Sequence, residues 1–149
     1  MYNSIFYKPD ATEIELLSAV CIFDDYIEYT GDTMLEQGKS KILDEMMKAS
    51  NHTNSDIRHS ASYGVGLCSQ AMPAEVFSPY AQASVQLLAN IIKMPDSRSE
   101  DNTSATDSAI GALGKVALFH CNDIIPDWLS QMPVKSDPDE AQSHNRFFL

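Results

Sequence analysis

A helical pattern that returns after a long, nearly fixed interval constrains this chain more than any other feature. Three segments share one look: Ala19-Val20-Cys21-Ile22-Phe23-Asp24-Asp25-Tyr26-Ile27-Glu28, Ser60-Ala61-Ser62-Tyr63-Gly64-Val65-Gly66-Leu67-Cys68, and Ser108-Ala109-Ile110-Gly111-Ala112-Leu113-Gly114-Lys115-Val116. Ala61 lies 40 positions beyond Cys21, and Ala109 lies 48 beyond Ala61. Each segment is followed by a break and a second, less regular helix. A helix pair of this size cannot bury its apolar face alone, and only stacking on its neighbours makes a continuous core. The pattern predicts an all-α array of stacked pairs. Such arrays present extended surfaces that hold other macromolecules, which moves the search from catalysis towards binding.

A spacing of roughly 40–47 residues is that of HEAT- or armadillo-type solenoids. The expected architecture is a HEAT-repeat α-solenoid of about three helix pairs plus the start of a fourth, in units near 10–50, 54–94, 102–133 and 136–149. The first helix should open at Asp10, with Glu13 three residues on as a loose capping box. Its apolar stripe should run through Ile14, Leu17, Cys21, Ile22 and Ile27, and Gly31 should end it. A second helix spans Thr33 to Ala49. Asn54 or Ser55 caps a third, which runs to Ala71 with Ile57, Ala61, Val65 and Cys68 on its core face. Gly64 and Gly66 weaken that helix by about 1 kcal/mol each relative to alanine, so their use is to admit a neighbouring helix closely. Pro73 breaks the chain, and Ser78-Pro79 should start the fourth helix with proline at its first position. Residues 96–103 read as an exposed loop, and Thr103 or Ser104 restarts a helix that ends near His120. Residues 124–129 open a short partner helix, and a last one begins near Ser136. Both ends are apolar, at Ile5-Phe6-Tyr7 and Phe147-Phe148-Leu149, where a solenoid's terminal units carry a polar face. The expectation is a stretch cut from a longer solenoid.

Length and composition allow one ordinary domain: 149 residues, 44% of them hydrophobic. The formal net charge of −11 sets the chain against phosphate backbones, so neither DNA nor RNA is an expected partner. It suits a basic one, although acidity also serves solubility. Cys21, Cys68 and Cys121 lie in apolar helical runs at unpaired spacing, which fits small packing residues in a reducing compartment. No run of 18 apolar residues offers a membrane span, and no basic flank precedes an apolar leader.

With the repeats located, four stretches resemble a known family: Ile22–Glu28, Ile57–Gly66, Ala105–Lys115 and Ile125–Pro133. In this order they resemble the C-terminal part of importin-beta-type nuclear transport receptors, the importin-five or karyopherin-beta-three branch above all. A Phe-Asp-Asp segment precedes an Arg-x-Ala-Ala-Tyr-Gly-like helix, and a Trp-Leu-x-x-x-Pro segment leads into an acidic turn. Order and spacing agree from about Val20 to Ala141, with residues 33–50 departing most. The resemblance implies a receptor that carries basic cargo proteins through the nuclear pore and works in cytoplasm and nucleus. It implies cargo held on the concave side, phenylalanine-glycine nucleoporins met in apolar pockets between outer helices, and release by Ran bound to GTP. The family's N-terminal units, with their main Ran contacts, have no counterpart here, so Ran-GTP is expected to act through the parent protein and not through this stretch alone.

The residues leave two further readings open. One is a HEAT-repeat scaffold or regulatory protein unrelated to transport. The other is a small all-α magnesium-dependent enzyme, since Asp24, Asp25 and Glu28 form an Asp-Asp-x-x-Glu pattern that could bridge magnesium to a diphosphate. No second metal motif or arginine cluster accompanies it. The expectation is therefore a solvated acidic face, no enzymatic activity and no cofactor. His52, His59, His120 and His144 are scattered and lack metal-ligand spacing. By elimination, the acids of inner helices are the protein-binding candidates: Glu36, Asp44 and Glu45 on the second helix, and Asp123 and Asp127 around the sixth. Trp128 either anchors a partner or packs between helices.

Overall fold

The computed structural model describes Lys8, residues 10–30 and residues 36–126, with the helical backbone alone at 36–39. The described residues form five α-helices: α1 (Glu13–Thr30), α2 (Glu36–Ala49), α3 (Ser55–Ala71), α4 (Ala74–Ile92) and α5 (Thr103–His120). A 3₁₀ turn at Asn122–Ile124 follows, and there is no strand among these residues. α1 packs on α3 and α3 on α5, so the odd-numbered helices lie side by side in one layer. α2 packs on α3 and α4, and α4 on α5, which makes the second layer. This is the two-layered stacking of a HEAT solenoid. Its single apolar core takes Val20 and Ile27 from α1, Leu43 and Met46 from α2, Ile57, Ala61 and Val65 from α3, Phe77 and Leu88 from α4, and Ile110 and Val116 from α5. α5 is the most enclosed element, buried on every face from Ala105 to Ala117, with Asp107 and Lys115 enclosed among its small and apolar residues.

Local chemistry explains the boundaries, and it corrects several expectations. α1 is capped by Thr12 rather than Asp10. The Thr12 hydroxyl accepts from the Glu15 N–H at 3.2 Å, and the Glu15 carboxylate accepts the Thr12 N–H at 2.8 Å. This reciprocal box lies two residues beyond the expected pair, because Thr12, and not Asp10, stands directly before the first helical turn. The expected apolar stripe is also displaced. Ile14, Cys21 and Ile22 are exposed, while Ala19, Val20, Asp24 and Ile27 face the core. The spacing of 20, 24 and 27 is a proper helical stripe, with an aspartate in its middle.

α3 starts as expected: Asn54 Oδ1 accepts the N–H groups of Asp56 at 2.9 Å and Ile57 at 3.4 Å, satisfying donors that a first turn leaves without partners. Its glycines do admit close neighbours. A Cβ on Gly64 would fall against Asp24 Oδ1 and 2.8 Å from Met46 Sδ, and one on Gly66 would lie 3.0 Å from Ala112 Cα. α4 starts five residues before the expected Ser78-Pro79, directly after Pro73, so Pro79 lies inside the helix. Its missing N–H would have served the carbonyl of Glu75, an exposed residue that water reaches. The 93–102 loop is tied down more than its composition suggested. Ser97 is buried and its carbonyl accepts from Thr106 Oγ1 at 2.7 Å, while Arg98 Nη1 pairs at 2.9 Å with the fully buried Asp107. The expectations for residues 1–7, 31–35 and 127–149 fall outside the described residues.

Candidate binding surfaces

The acids singled out from the sequence fall in two groups, on α2 and after α5. Asp44 is exposed on α2. Glu45, beside it, is only 9% exposed and accepts a hydrogen bond from Lys48 Nζ at 2.6 Å, so much of its charge is already answered within the helix. Asp123 is exposed in the 3₁₀ turn after α5. Glu36 is helical, with its side chain outside the described set, and Asp127 and Trp128 lie beyond it.

The Asp24/Asp25/Glu28 pattern divides. Asp25 and Glu28 are exposed, whereas Asp24 is 7% exposed and its Oδ1 has no hydrogen-bond partner. The expectation of one solvated acidic face therefore fails at Asp24, since the carboxylates at 24 and 25 leave α1 in different directions. For the same reason the three cannot converge on one magnesium ion from an open surface. Desolvation, then the neighbouring charges of Asp25 and Glu28, push the Asp24 carboxyl up to about 8 against some opposition from Lys115. Lys115, itself buried, places its Nζ 4.8 Å from the centre of the Tyr63 ring, and the Tyr63 hydroxyl donates to Glu28 at 3.5 Å. Sequence reading missed this inward acid, although its register with Val20 and Ile27 was there to be read.

The three described histidines have structural contacts, and His144 lies outside the described residues. His120 Nε2 lies 2.7 Å from the Ser69 carbonyl, which identifies that nitrogen as the donor, and the ring stacks on Phe77 with centroids 4.3 Å apart. His59 Nδ1 sits 2.8 Å from Ser108 Oγ, and His52 Nδ1 accepts the Asn54 N–H at 3.0 Å. Among the described residues no group of three acids, histidines or cysteines has the arrangement to hold a metal ion. Burial raises the Cys68 and Cys121 thiols, which favours their protonated forms.

Two surface concavities stand out among the described residues. One, of about 550 Å³, lies between the α2–α3 turn and the α4–α5 loop, with Asn51, Asn90, Asp96 and Asp101 on its walls. Arg58 joins those two connections: its Nη1 donates to the His52 and Thr53 carbonyls at 2.8 and 2.6 Å, and its Nη2 donates to Asn102 Oδ1. The other, of about 540 Å³, lies on α1 and is lined by Ile22, Phe23, Asp25, Tyr26, Tyr29 and Thr30. Here Ile22 is 43%, Tyr26 46% and Tyr29 82% exposed. Three large apolar groups at i, i+4 and i+7 make a continuous ridge rather than scattered exposure.

Known proteins give this architecture a context. No family model matches the chain. It is 28% identical over 147 residues to importin subunit beta-3 of Saccharomyces cerevisiae, covering 94% of the chain and 13% of that protein. It is 29% identical over 130 residues to a probable importin-5 homologue of Dictyostelium discoideum, covering 80% of the chain and 12% of that protein. The chain thus spans about an eighth of the length of these relatives. The crystal structure of the karyopherin Kap121p bound to the SUMO protease Ulp1p superposes with a TM-score of 0.84 at 22% identity, covering 99% of this chain and 14% of that one.

Proposed function

We propose that this chain, a HEAT-repeat homologue of importin-beta-type karyopherins, serves as part of a nuclear import receptor that binds cargo proteins and carries them through the nuclear pore. The observation that carries the reading is the similarity to importin beta-3 along 94% of the chain. The two-layered fold, shared with a karyopherin crystallised on a SUMO protease, agrees with it. The receptor works between cytoplasm and nucleus, in a cycle governed by Ran-GTP acting through other parts of the receptor.

The surface divides this work in two. The net charge of −11 steers basic cargo towards the chain over a range set by salt, and Asp44 on the α2/α4 layer is the free acid best placed to meet a cargo lysine. The α1 ridge of Ile22, Tyr26 and Tyr29 offers apolar and aromatic surface of the kind that accepts a nucleoporin phenylalanine. No chemical step is assigned to the chain, whose role is to hold and release.

Titrating the chain with a labelled lysine-rich peptide and a labelled phenylalanine-glycine-rich peptide, at low and high salt, tests both assignments. The lysine-rich peptide should bind weakly and lose affinity as salt rises, and Asp44→Lys should weaken it about twofold to fivefold, the range of one exposed ion pair. The other peptide should bind with little salt dependence and lose binding on Ile22→Asp. Binding of neither would remove the transport assignment from this chain and favour a scaffold.

A further inference from the structure

The seam between α1 and α3 encloses a carboxyl group in a place made for a neutral one. Asp24 lies between Val20 and Ile27 on the buried stripe of α1, and its Oδ1 has no hydrogen-bond partner. α3 meets it at Gly64, where even a methyl group would collide with Oδ1 and with Met46 of α2. Three helices therefore close on this one side chain. We propose that the seam is a pH-gated joint: α1 docks on the rest of the solenoid with Asp24 protonated, and release of that proton to solvent favours its undocking.

The charged and titratable groups around Asp24 support this. From α1 itself come Asp25 and Glu28, both of which oppose a second negative charge. From α3 comes the Cys68 thiol, raised by burial and by Asp24 and therefore neutral, together with the Tyr63 phenol that reaches Glu28. From α2 comes the uncharged Met46 thioether. From α5 comes Lys115, which favours the carboxylate and, among the described residues, does not outweigh burial and the two acids. A carboxylate in this seam is thus costly, whereas in an undocked α1 it would be hydrated.

The sign follows from linkage. The docked state keeps the proton up to about pH 8, while an undocked, hydrated aspartate loses it near 4. Between these values the docked state binds the extra proton, so docking weakens as pH rises and levels off above about 8. At pH 7 the joint sits on the slope, so α1 is held more loosely there than in mild acid.

Hydrogen exchange on the full chain, corrected for the intrinsic pH dependence of amide exchange, tests this. Protection of α1 amides should fall about tenfold per pH unit between pH 5 and 7, with α5 protection falling less. Asp24→Asn, which cannot ionise, should flatten the α1 profile, and Asp25→Asn should leave the slope intact. A flat wild-type profile, or an Asp24→Asn profile as steep as the wild type, would overturn the joint. Should Asp24→Asn not fold, infrared titration of the wild type decides: a protonated carboxyl band persisting at pH 7 supports the proposal, and its absence above pH 6 rejects it.

Discussion

Gly64 and Asp24 are one feature seen from two helices. The glycine's missing side chain is the space the aspartate occupies, so neither residue can be understood from its own helix. Gly64→Ala should cost about 1–3 kcal/mol, because a methyl group must displace Asp24 or Met46 in a packed seam; chemical denaturation read by circular dichroism checks this. An unchanged midpoint would mean that the seam is looser than it looks. The sequence disclosed half of this arrangement. That Gly64 and Gly66 admit a neighbour could be read from their place in the middle of a helix. That the neighbour is a carboxylate could not, because an Asp-Asp pair invites one reading for both members, and only the three-dimensional register separates the buried Asp24 from the exposed Asp25. Among the acids read as binding candidates, Glu45 is similarly diverted by Lys48, a contact three residues away that competes with any partner.

At the scale of the element, the ends of α3 and α5 were legible, whereas the starts of α1 and α4 and the buried stripe of α1 were not. The core face of α3 and the span of α5 follow from apolar spacing, which tertiary packing reinforces. The start of α4 does not, because two prolines compete for its first turn. Pro73 takes the role, and Pro79 is tolerated in an exposed second turn where water can serve the carbonyl it leaves. The start of α1 rests on the Thr12–Glu15 box. The Thr12 N–H and Lys8 Nζ, which approaches Glu15 Oε1 to 3.0 Å, hold the Glu15 carboxyl down at about 2. Its folded value lies below its unfolded one, so this contribution is present above about pH 4.5 and is lost as pH falls towards 2. Thr12→Ala should cost about 1 kcal/mol, with fraying confined to the first turn of α1 and visible as lost exchange protection there. Global unfolding in its place would show that α1 depends on its cap more than on its packing. Falling pH below about 4.5 thus loosens the cap of α1, while rising pH between about 4 and 8 loosens its seam, so α1 should be best ordered at about pH 4–5.

Across the whole molecule, the repeat interval was the decisive signal. It implied helix pairs, and the pairs stack in two layers because each buries its apolar face only against the next. What the interval could not supply was the placement of binding groups, since surface positions are free of the periodic constraint that marks the core. Neither the α1 ridge nor the groove bridged by Arg58 was anticipated. The first joins Ile22, expected in a core stripe, to two tyrosines assigned no role, and the second joins two connections that lie far apart in sequence. The transport reading makes the sharpest demand on that ridge. The labelled chain should partition into a condensed phase of phenylalanine-glycine nucleoporin repeats in preference to an inert protein of the same mass and charge, and Ile22→Asp should reduce its entry. Exclusion of the wild-type chain to the same extent as the inert protein would contradict its reading as a pore-engaging part of an import receptor.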